Sequence, residues 1–170
     1  RRQAGHEFVR LDTLSAADLL TLHADVSDKL REKGITRSSN NPAGDYAEHL
    51  FCKAFGWQQA DNSVKAYDAT DPATHLRYQI KSRRLTAPNT SRQLSALRNL
   101  DAKGFDFLAA VLFDRNYGIA RAALIPVDQV LKLSTYGQHT NSWRFMLRDS
   151  VWSEAGVVDV SDKLSAMVIQ

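Results

Sequence analysis

An uninterrupted apolar run at residues 107–113, which reads F-L-A-A-V-L-F, restricts the possible folds of this chain more than any other segment. A run this short and this apolar predicts a β-strand buried on both faces, because a half-exposed strand alternates apolar and polar residues. Residues 114–116 (D-R-N) predict a turn, so residues 117–125 are expected to return as the antiparallel hairpin partner. Residues 126–133 are then expected to form a short helix that begins at Pro126.

A first amphipathic helix is predicted at residues 14–33. Ser15 is a favourable N-cap, and Gly34 follows at the expected end of the helix. Apolar residues recur along one side with helical spacing, and they are Leu19, Leu20, Leu22, Val26 and Leu30. The polar residues 35–41 then predict a connecting segment.

A second helix is predicted between Asn41 and Gly56, and its end signals are the clearest in the chain. Asn41 suits the N-cap, Pro42 suits the first helical position, and Gly56 suits the position just past the end. One buried face is predicted from the residues Ala47, Leu50, Phe51, Ala54 and Phe55. Glu48 lies at the border of that face, where a carboxylate can point into a cleft.

A β-hairpin is predicted from two strands at residues 64–69 and 76–82, joined by a turn at residues 71–74. Asp71 and Pro72 suit the first two positions of a type I turn. A turn centred on residues 72 and 73 places Asp68 directly opposite Arg77. Gln79 is then the diagonal neighbour of Asp68, roughly 7 to 8 Å away.

The alternation of side chains along a strand gathers four polar residues on one face of this hairpin. They are Asp68, Arg77, Gln79 and Lys81, and Tyr78 and Ile80 lie on the other face. The carboxylate of Asp68 and the amide oxygen of Gln79 are suited to holding an oxygen-ligated cation between them. The alternative interpretation is an ordinary half-buried strand whose polar face is solvated.

The remaining segments complete a predicted α/β fold in a single domain, residues 1–170. Residues 91–100 are predicted to form a short helix, and residues 143–147 and 157–160 short strands. The expected architecture is a central mixed β-sheet flanked by helices, with a core at about residues 40–125, an N-terminal helix at 14–33 and a C-terminal extension at 126–170. The chain begins with Arg1 rather than Met, which suggests that a segment precedes it.

The charge distribution favours an anionic partner. The formal net charge of +3 is modest, but residues 81–100 contain no acid. The basic side chains of this segment are Lys81, Arg83, Arg84, Arg92 and Arg98. A local cationic block suits the phosphate backbone of a nucleic acid, although a solvated basic surface has the same composition.

The cysteine and histidine content restricts the metal chemistry. The single cysteine, Cys52, excludes an intrachain disulfide and a Cys-rich zinc site, and it favours a reducing, cytoplasmic setting. The histidines are scattered without metal-ligand spacing, so any metal is expected to be a hard, oxygen-ligated ion such as Mg²⁺. No apolar run approaches the ~20 residues that a membrane helix needs.

These residues resemble the PD-(D/E)XK, or restriction-endonuclease-like, nuclease superfamily over roughly residues 40–125. The resemblance rests on N-P-A-G-D-Y-A-E at residues 41–48, Y-D-A at 67–69 and Y-Q-I-K-S-R at 78–83. These motifs are similar to those of uncharacterised bacterial members. The chain departs from the commonest pattern at Gln79, where Glu or Asp is usual. Variants with Q-x-K occur among active members, including modification-dependent restriction enzymes and transposon-end nucleases.

The resemblance implies a restriction-endonuclease-like core and a Mg²⁺-dependent DNA endonuclease in a restriction, defence or DNA-processing role, with Mn²⁺ as a substitute ion. It implies Glu48, Asp68, Gln79 and Lys81 as catalytic residues. Metal ligands would be Asp68, the Gln79 side-chain oxygen, the Ile80 carbonyl and Glu48, while Lys81 orients the attacking water. The DNA backbone would be held by Arg83, Arg84, Ser91, Arg92 and Arg98.

Two alternatives to an autonomous nuclease are left open. One is a catalytically silent DNA-binding or assembly subunit of the same fold, which Gln79 favours because an amide contributes no negative charge. The other is a subunit of a larger restriction or defence complex that is active only with its partners. A homodimer is also expected by analogy, since duplex-cutting enzymes often pair two active sites.

Overall fold

The computed structural model describes residues 10–168. The chain divides into two compact units, residues 1–40 and residues 41–170, and the prediction of a single domain stays a prediction. Within the described residues the protein is α/β, with four α-helices and a mixed six-stranded sheet. No helix in this part of the chain combines the length and the apolarity needed to cross a membrane.

The first unit contains the predicted N-terminal helix. Helix α1 spans Ala16–Glu32 and follows a 3-10 turn at Leu11–Thr13. Ser15 caps it through a reciprocal capping box with Asp18, which satisfies two backbone N–H groups that a helix start leaves unpaired. Gly34, just beyond the end of the helix, has a φ of +69°. The prediction of a helix at residues 14–33 is therefore confirmed.

The second unit is built on a mixed sheet of six strands in the order β1-β2-β3-β4-β5-β8. Strands β3 and β4 run parallel, and every other neighbouring pair in this sheet is antiparallel. The strands are β1 (Gln58–Gln59), β2 (Ala69–Thr70), β3 (Arg77–Arg84), β4 (Phe107–Phe113), β5 (Ile119–Pro126) and β8 (Val158–Asp159). A separate hairpin pairs β6 (Thr135–Gly137) with β7 (Ser142–Arg144).

Strand β4 lies at the centre of two cores, as its unbroken apolar sequence predicts. On one face Ala109, Val111 and Phe113 pack with helices α2 (Pro42–Phe55) and α4 (Ser161–Val168). On the other face Leu108, Ala110 and Leu112 pack with helix α3 (Val127–Leu133) and with the segments that follow β3 and β7. All residues from 108 to 113 are fully buried. The double-sided burial, the β4–β5 hairpin and α3 are confirmed.

Helix α2 follows its end signals closely. The Asn41 side chain accepts a hydrogen bond from the Ala43 backbone N–H, and Gly56 ends the helix with a φ of +69°. The face that contains Leu50 and Phe51 is buried against Tyr78 and other residues of the sheet. The predicted helix and its buried face are confirmed, and α2 is thereby fixed beside β3.

The hairpin before β3 differs from the prediction in length and in register. Residues 64–68 are irregular, and β2 contains only Ala69 and Thr70. Thr70, not Asp68, lies opposite Arg77. The turn is longer than predicted, because Asp71 N–H donates to the Leu76 carbonyl and His75 takes a φ of +61°. A shift of two residues keeps Asp68 on the face of the sheet that carries Gln79 and Lys81, since side chains alternate with a period of two.

The predicted helix at residues 91–100 is wrong. This segment is extended, and Leu94 N–H donates to the Phe145 carbonyl while Leu97 exchanges two backbone hydrogen bonds with Trp143. Leu94, Leu97 and Leu100 are buried at a spacing of three residues, which imitates a helical stripe. At the C-terminal end, β7 and β8 form within or beside the two predicted strands but are shorter, and β6 and α4 were not predicted.

Candidate functional site

A pocket of about 570 Å³ opens between the first half of α2 and the edge of β3. Within the described residues, β2 pairs with β3 only at Arg77 and Tyr78. The edge of β3 that faces β2 is therefore open from Gln79 onward, while its other edge pairs with β4. The pocket is lined by the predicted residues Glu48, Asp68, Gln79, Ile80, Lys81, Arg83 and Arg84. Three separate chain segments therefore bring the predicted catalytic residues to one place.

Asp68 occupies the open edge of β3 just before β2 begins. Its Oδ2 accepts hydrogen bonds from Gln79 Nε2 and from the Ile80 backbone N–H, both at 2.7 Å. Its own backbone N–H donates to the Tyr78 carbonyl at 2.8 Å. The carboxylate replaces a strand partner for Ile80, and this fixes its position relative to Gln79.

Glu48 enters the pocket from α2 and is anchored by β1. Gln59 Nε2 donates to Glu48 Oε2 at 2.6 Å. Gln59 is a residue of the site's surroundings that sequence reasoning missed, because a glutamine in a two-residue strand carries no periodic or motif signal. It holds the Glu48 carboxylate on the side of α2 that faces β3.

Lys81 lies on the same face of β3 as Gln79 and is largely covered by its neighbours. Burial lowers the pKa of Lys81 below its ordinary value of 10.5, because desolvation disfavours the charged ammonium. The carboxylates of Asp68 and Glu48 act in the opposite sense and favour the charged form. A cationic group is thus held close to two anionic ones, as the sequence pattern predicts.

Arg77 has the predicted orientation on β3 but does not line the pocket. Its guanidinium forms a bidentate pair with Asp106, with Nε and Nη2 each 3.1 Å from a carboxylate oxygen. The Arg77 backbone N–H also donates to this carboxylate, at 2.7 Å. Asp106 therefore directs Arg77 towards the start of β4, and Arg77 is a structural residue.

The five residues predicted to contact DNA separate into two groups. Arg83 and Arg84 line the pocket, whereas Ser91, Arg92 and Arg98 do not. Arg92 pairs with Asp149 at 2.6 Å, and Arg98 is exposed on the extended segment. The described lining also includes five polar residues that were not among the predicted site residues, which are Asn41, Ser82, Thr86, Asn89 and Ser95. Asn41 was interpreted only as the N-cap of α2, although it also lines the pocket.

The donor atoms of the pocket fit a hard divalent cation. Carboxylates, an amide oxygen and a backbone carbonyl are the ligands that Mg²⁺ prefers, and Mg²⁺ is commonly bound through one or two carboxylates together with substrate phosphates and water. Among residues 10–168, no three His, Cys, Asp or Glu side chains cluster so as to hold a metal ion. The pocket has two carboxylates, so a third protein ligand to such an ion would be a neutral oxygen, and the Gln79 amide and the Ile80 carbonyl are the two that were predicted. A 180° rotation of the Gln79 amide presents its oxygen instead of its N–H group.

The lining combines three basic side chains (Lys81, Arg83, Arg84) with two acidic ones (Glu48, Asp68). A pocket with side chains of both signs can hold a divalent cation and an anionic phosphate together. No protein-family model matches this chain, and no curated protein matches it.

Proposed function

We propose that this protein is a metal-dependent endonuclease that hydrolyses phosphodiester bonds in DNA. The observation that carries the proposal is the convergence of Glu48, Asp68, Gln79 and Lys81 on one pocket that Arg83 and Arg84 extend. In this proposal α2 and strands β1 to β5 form a restriction-endonuclease-like core. Its support is the order of elements: an acid on a helix, an acid just before the short strand β2, and Q-x-K on the neighbouring strand β3.

Asp68, Glu48, the Gln79 amide oxygen and the Ile80 carbonyl would hold Mg²⁺, with Mn²⁺ as a substitute. When bound there, the ion supplies Lewis-acid polarisation of the scissile phosphate and lowers the pKa of the attacking water. The hydrogen bonds from Gln59 to Glu48 and from Ile80 N–H to Asp68 orient the two carboxylates before any substrate arrives.

Lys81 is proposed to donate a hydrogen bond to the attacking water and to offset the charge that develops on the phosphate oxygens. Electrostatic stabilisation of this kind commonly lowers the barrier of such reactions more than any other effect. The resemblance to the PD-(D/E)XK superfamily implies that water attacks phosphorus and that the 3′-oxygen leaves with a proton, which gives a 5′-phosphate and a 3′-hydroxyl. Arg83 and Arg84 would hold neighbouring phosphates, which positions the strand without reading its sequence.

The test is cleavage of supercoiled plasmid by the purified protein in Mg²⁺. Asp68→Asn and Lys81→Ala should each reduce the rate by at least about 10²-fold, because each removes a charged group at the reacting phosphate. The matched controls are Asp61→Asn and Lys65→Ala, which make the same charge changes at exposed positions outside the pocket. Equal rates for the pocket variants and their controls, with unchanged thermal unfolding, would reject the proposal.

A catalytically silent DNA-binding module is the second candidate. The hydrogen bond from Gln79 Nε2 to Asp68 Oδ2 favours it, because the amide satisfies the carboxylate without a cation. Calorimetric titration with Mg²⁺ and Mn²⁺ separates the two functions. A nuclease should bind the ion in a manner that Asp68→Asn abolishes, whereas a silent module should bind DNA equally well with and without the ion.

A further inference from the structure

A second pocket, of about 260 Å³, lies in the C-terminal half of the chain, and none of its lining belongs to the candidate active site. It is formed by the ends of α3 and β7 together with the 3-10 turn at Asp149–Ser153. Its polar lining consists of Arg144, Arg148, Gln93, Thr135 and Ser150. Its apolar lining consists of Leu133, Met146 and Val151.

The two arginines of this second pocket are available to an anion. Both are exposed, and within residues 10–168 neither guanidinium takes part in an ion pair or a side-chain hydrogen bond. No acidic residue belongs to the described lining. The adjacent acid, Asp149, is already engaged by Arg92 at 2.6 Å and by Arg121 at 3.1 Å. The positive charge of the pocket is therefore not neutralised by its described surroundings.

The second pocket adjoins the candidate active site through the extended segment after β3. Ser95 lines the active-site pocket and Gln93 lines the second pocket. Residues two apart in an extended chain are separated by roughly 6 to 7 Å. The segment is held firmly, since the intervening Leu94 is buried and its backbone N–H donates to the Phe145 carbonyl at 3.0 Å. A single polymeric anion can thus reach both pockets.

We infer that the second pocket is a phosphate subsite that holds the backbone of a nucleic-acid strand away from the cleaved bond. Arg144 and Arg148 bind the phosphate oxygens, because a guanidinium matches a phosphate with two parallel hydrogen bonds. Thr135, Ser150 and Gln93 supply further donors, and the apolar side is suited to the sugar. The inference rests on the proposed function for its substrate class, and it assigns the substrate a length of more than one nucleotide.

The test measures binding of a fluorescein-labelled 20-nucleotide single strand and of its duplex by anisotropy in EDTA, where cleavage is excluded. Arg144→Ala with Arg148→Ala should weaken binding on the order of 10-fold at moderate salt. The slope of log K against log salt should become shallower by about 0.7 for each lost contact on the single strand and about 0.9 on the duplex. The control is Lys53→Ala with Lys65→Ala, which removes the same charge from two exposed positions outside both pockets.

Equal affinities for the double arginine variant and the lysine control would overturn the subsite. If the double variant does not fold, Arg148→Ala alone replaces it in the test. The single variant should produce about half of the change in slope expected for the double variant. Inorganic phosphate that competes with the labelled strand at micromolar concentration would also overturn it, because the pocket would then be a site for free phosphate. Failure of the proposed function gives a different result: the unsubstituted protein would not cut plasmid in Mg²⁺, or Asp68→Asn would cut it at the same rate, whatever the arginine variants do.

Discussion

Gln79 determines the charge balance around Asp68 in the candidate active site. In place of a second carboxylate beside Asp68, it offers an amide whose N–H group donates to Asp68 Oδ2 at 2.7 Å. That oxygen also accepts the Ile80 backbone N–H, so the carboxylate is well satisfied by neutral donors. A carboxylate in the place of Gln79 would remove one donor and add a like charge, which only a cation could compensate.

Gln79→Glu is therefore expected to make the protein dependent on the ion for stability. In EDTA the variant should lose about 1–3 kcal/mol of unfolding free energy, because a charged hydrogen bond is replaced by repulsion. Mg²⁺ should restore the loss, and thermal unfolding with and without the ion measures both effects. The matched control is Gln58→Glu, which makes the same change at an exposed glutamine in β1. A loss that Mg²⁺ does not restore would contradict a cation site at this place.

The pair of Arg77 and Asp106 gives a prediction for acid stability. Hydrogen bonds from Arg77 hold the pKa of Asp106 below its ordinary value of 3.8. Because the pKa is lower in the folded state, this carboxylate stabilises the protein above the unfolded pKa of about 3.9, and the stabilisation is lost as the pH falls through the folded pKa.

Asp106→Asn should accordingly cost about 1 kcal/mol near neutral pH, a value limited by the solvent exposure of the pair. The difference from the unsubstituted protein should vanish towards pH 2. Urea unfolding from pH 2 to pH 7 measures it. The exposed Asp101→Asn is the matched control, and a constant gap between Asp106→Asn and the unsubstituted protein across this range would contradict the assignment.

At the level of secondary-structure elements, helix α2 contains one glycine and ends at another. Substitution by alanine is expected to change stability in opposite directions at these two positions. Gly44 lies within the helix, and Gly56 ends it with a φ of +69°. Neither would place an added Cβ within 4 Å of another group. Any change in stability on substitution by alanine therefore comes from the backbone alone.

Gly44→Ala is expected to stabilise the protein by about 0.5–1 kcal/mol, because alanine loses less backbone entropy in a helix. Gly56→Ala is expected to destabilise it by about 1–2 kcal/mol, because a Cβ is strained in the left-handed region. Denaturant midpoints of the two variants provide the measurement, and each variant is the control for the other. Shifts of the same sign would show that α2 does not end at Gly56.

Turn length decides which residue of one strand faces which residue of the next. The residues 71–74 suit a tight turn, but the backbone continues through His75 before Leu76 closes the hairpin. Local residue preferences do not distinguish these lengths, because both have the same Asp-Pro start. Because the shift is even, Asp68 lies on the predicted face with Gln79 and Lys81, whereas the predicted partner of Arg77 was wrong.

At the scale of the whole molecule, arginines line both the candidate active-site pocket and the second pocket, but they are not equivalent. Arg83 and Arg84 illustrate how differently two adjacent arginines are used. Arg84 donates to the Arg115 carbonyl at 2.9 and 2.6 Å, and its guanidinium lies 4.7 Å from the centre of the Tyr117 ring. Within residues 10–168, the Arg83 side chain has no hydrogen bond or ion pair.

Both Arg83→Ala and Arg84→Ala are expected to reduce the salt dependence of DNA binding, by about 0.9 in the slope of log K for each duplex phosphate contact. Only Arg84→Ala should also lower the free energy of unfolding, by about 1–2 kcal/mol, because it releases the turn after β4. Anisotropy titrations at several salt concentrations and urea unfolding separate the two effects. Equal stability losses for both variants would contradict the structural role of Arg84.

The amino-acid sequence by itself determines five features of this protein. They are the α/β class, the doubly buried strand β4, its hairpin with β5, both ends of α2, and the face of β3 that carries Gln79 and Lys81. These features depend on periodicity and on end signals, which are local properties of the chain. Three other features arise only when the chain is folded: β2 is short and leaves the edge of β3 open, Gln59 anchors Glu48, and Asp106 draws Arg77 away. Each of these depends on contacts between segments that are distant in sequence, and no local pattern records such contacts.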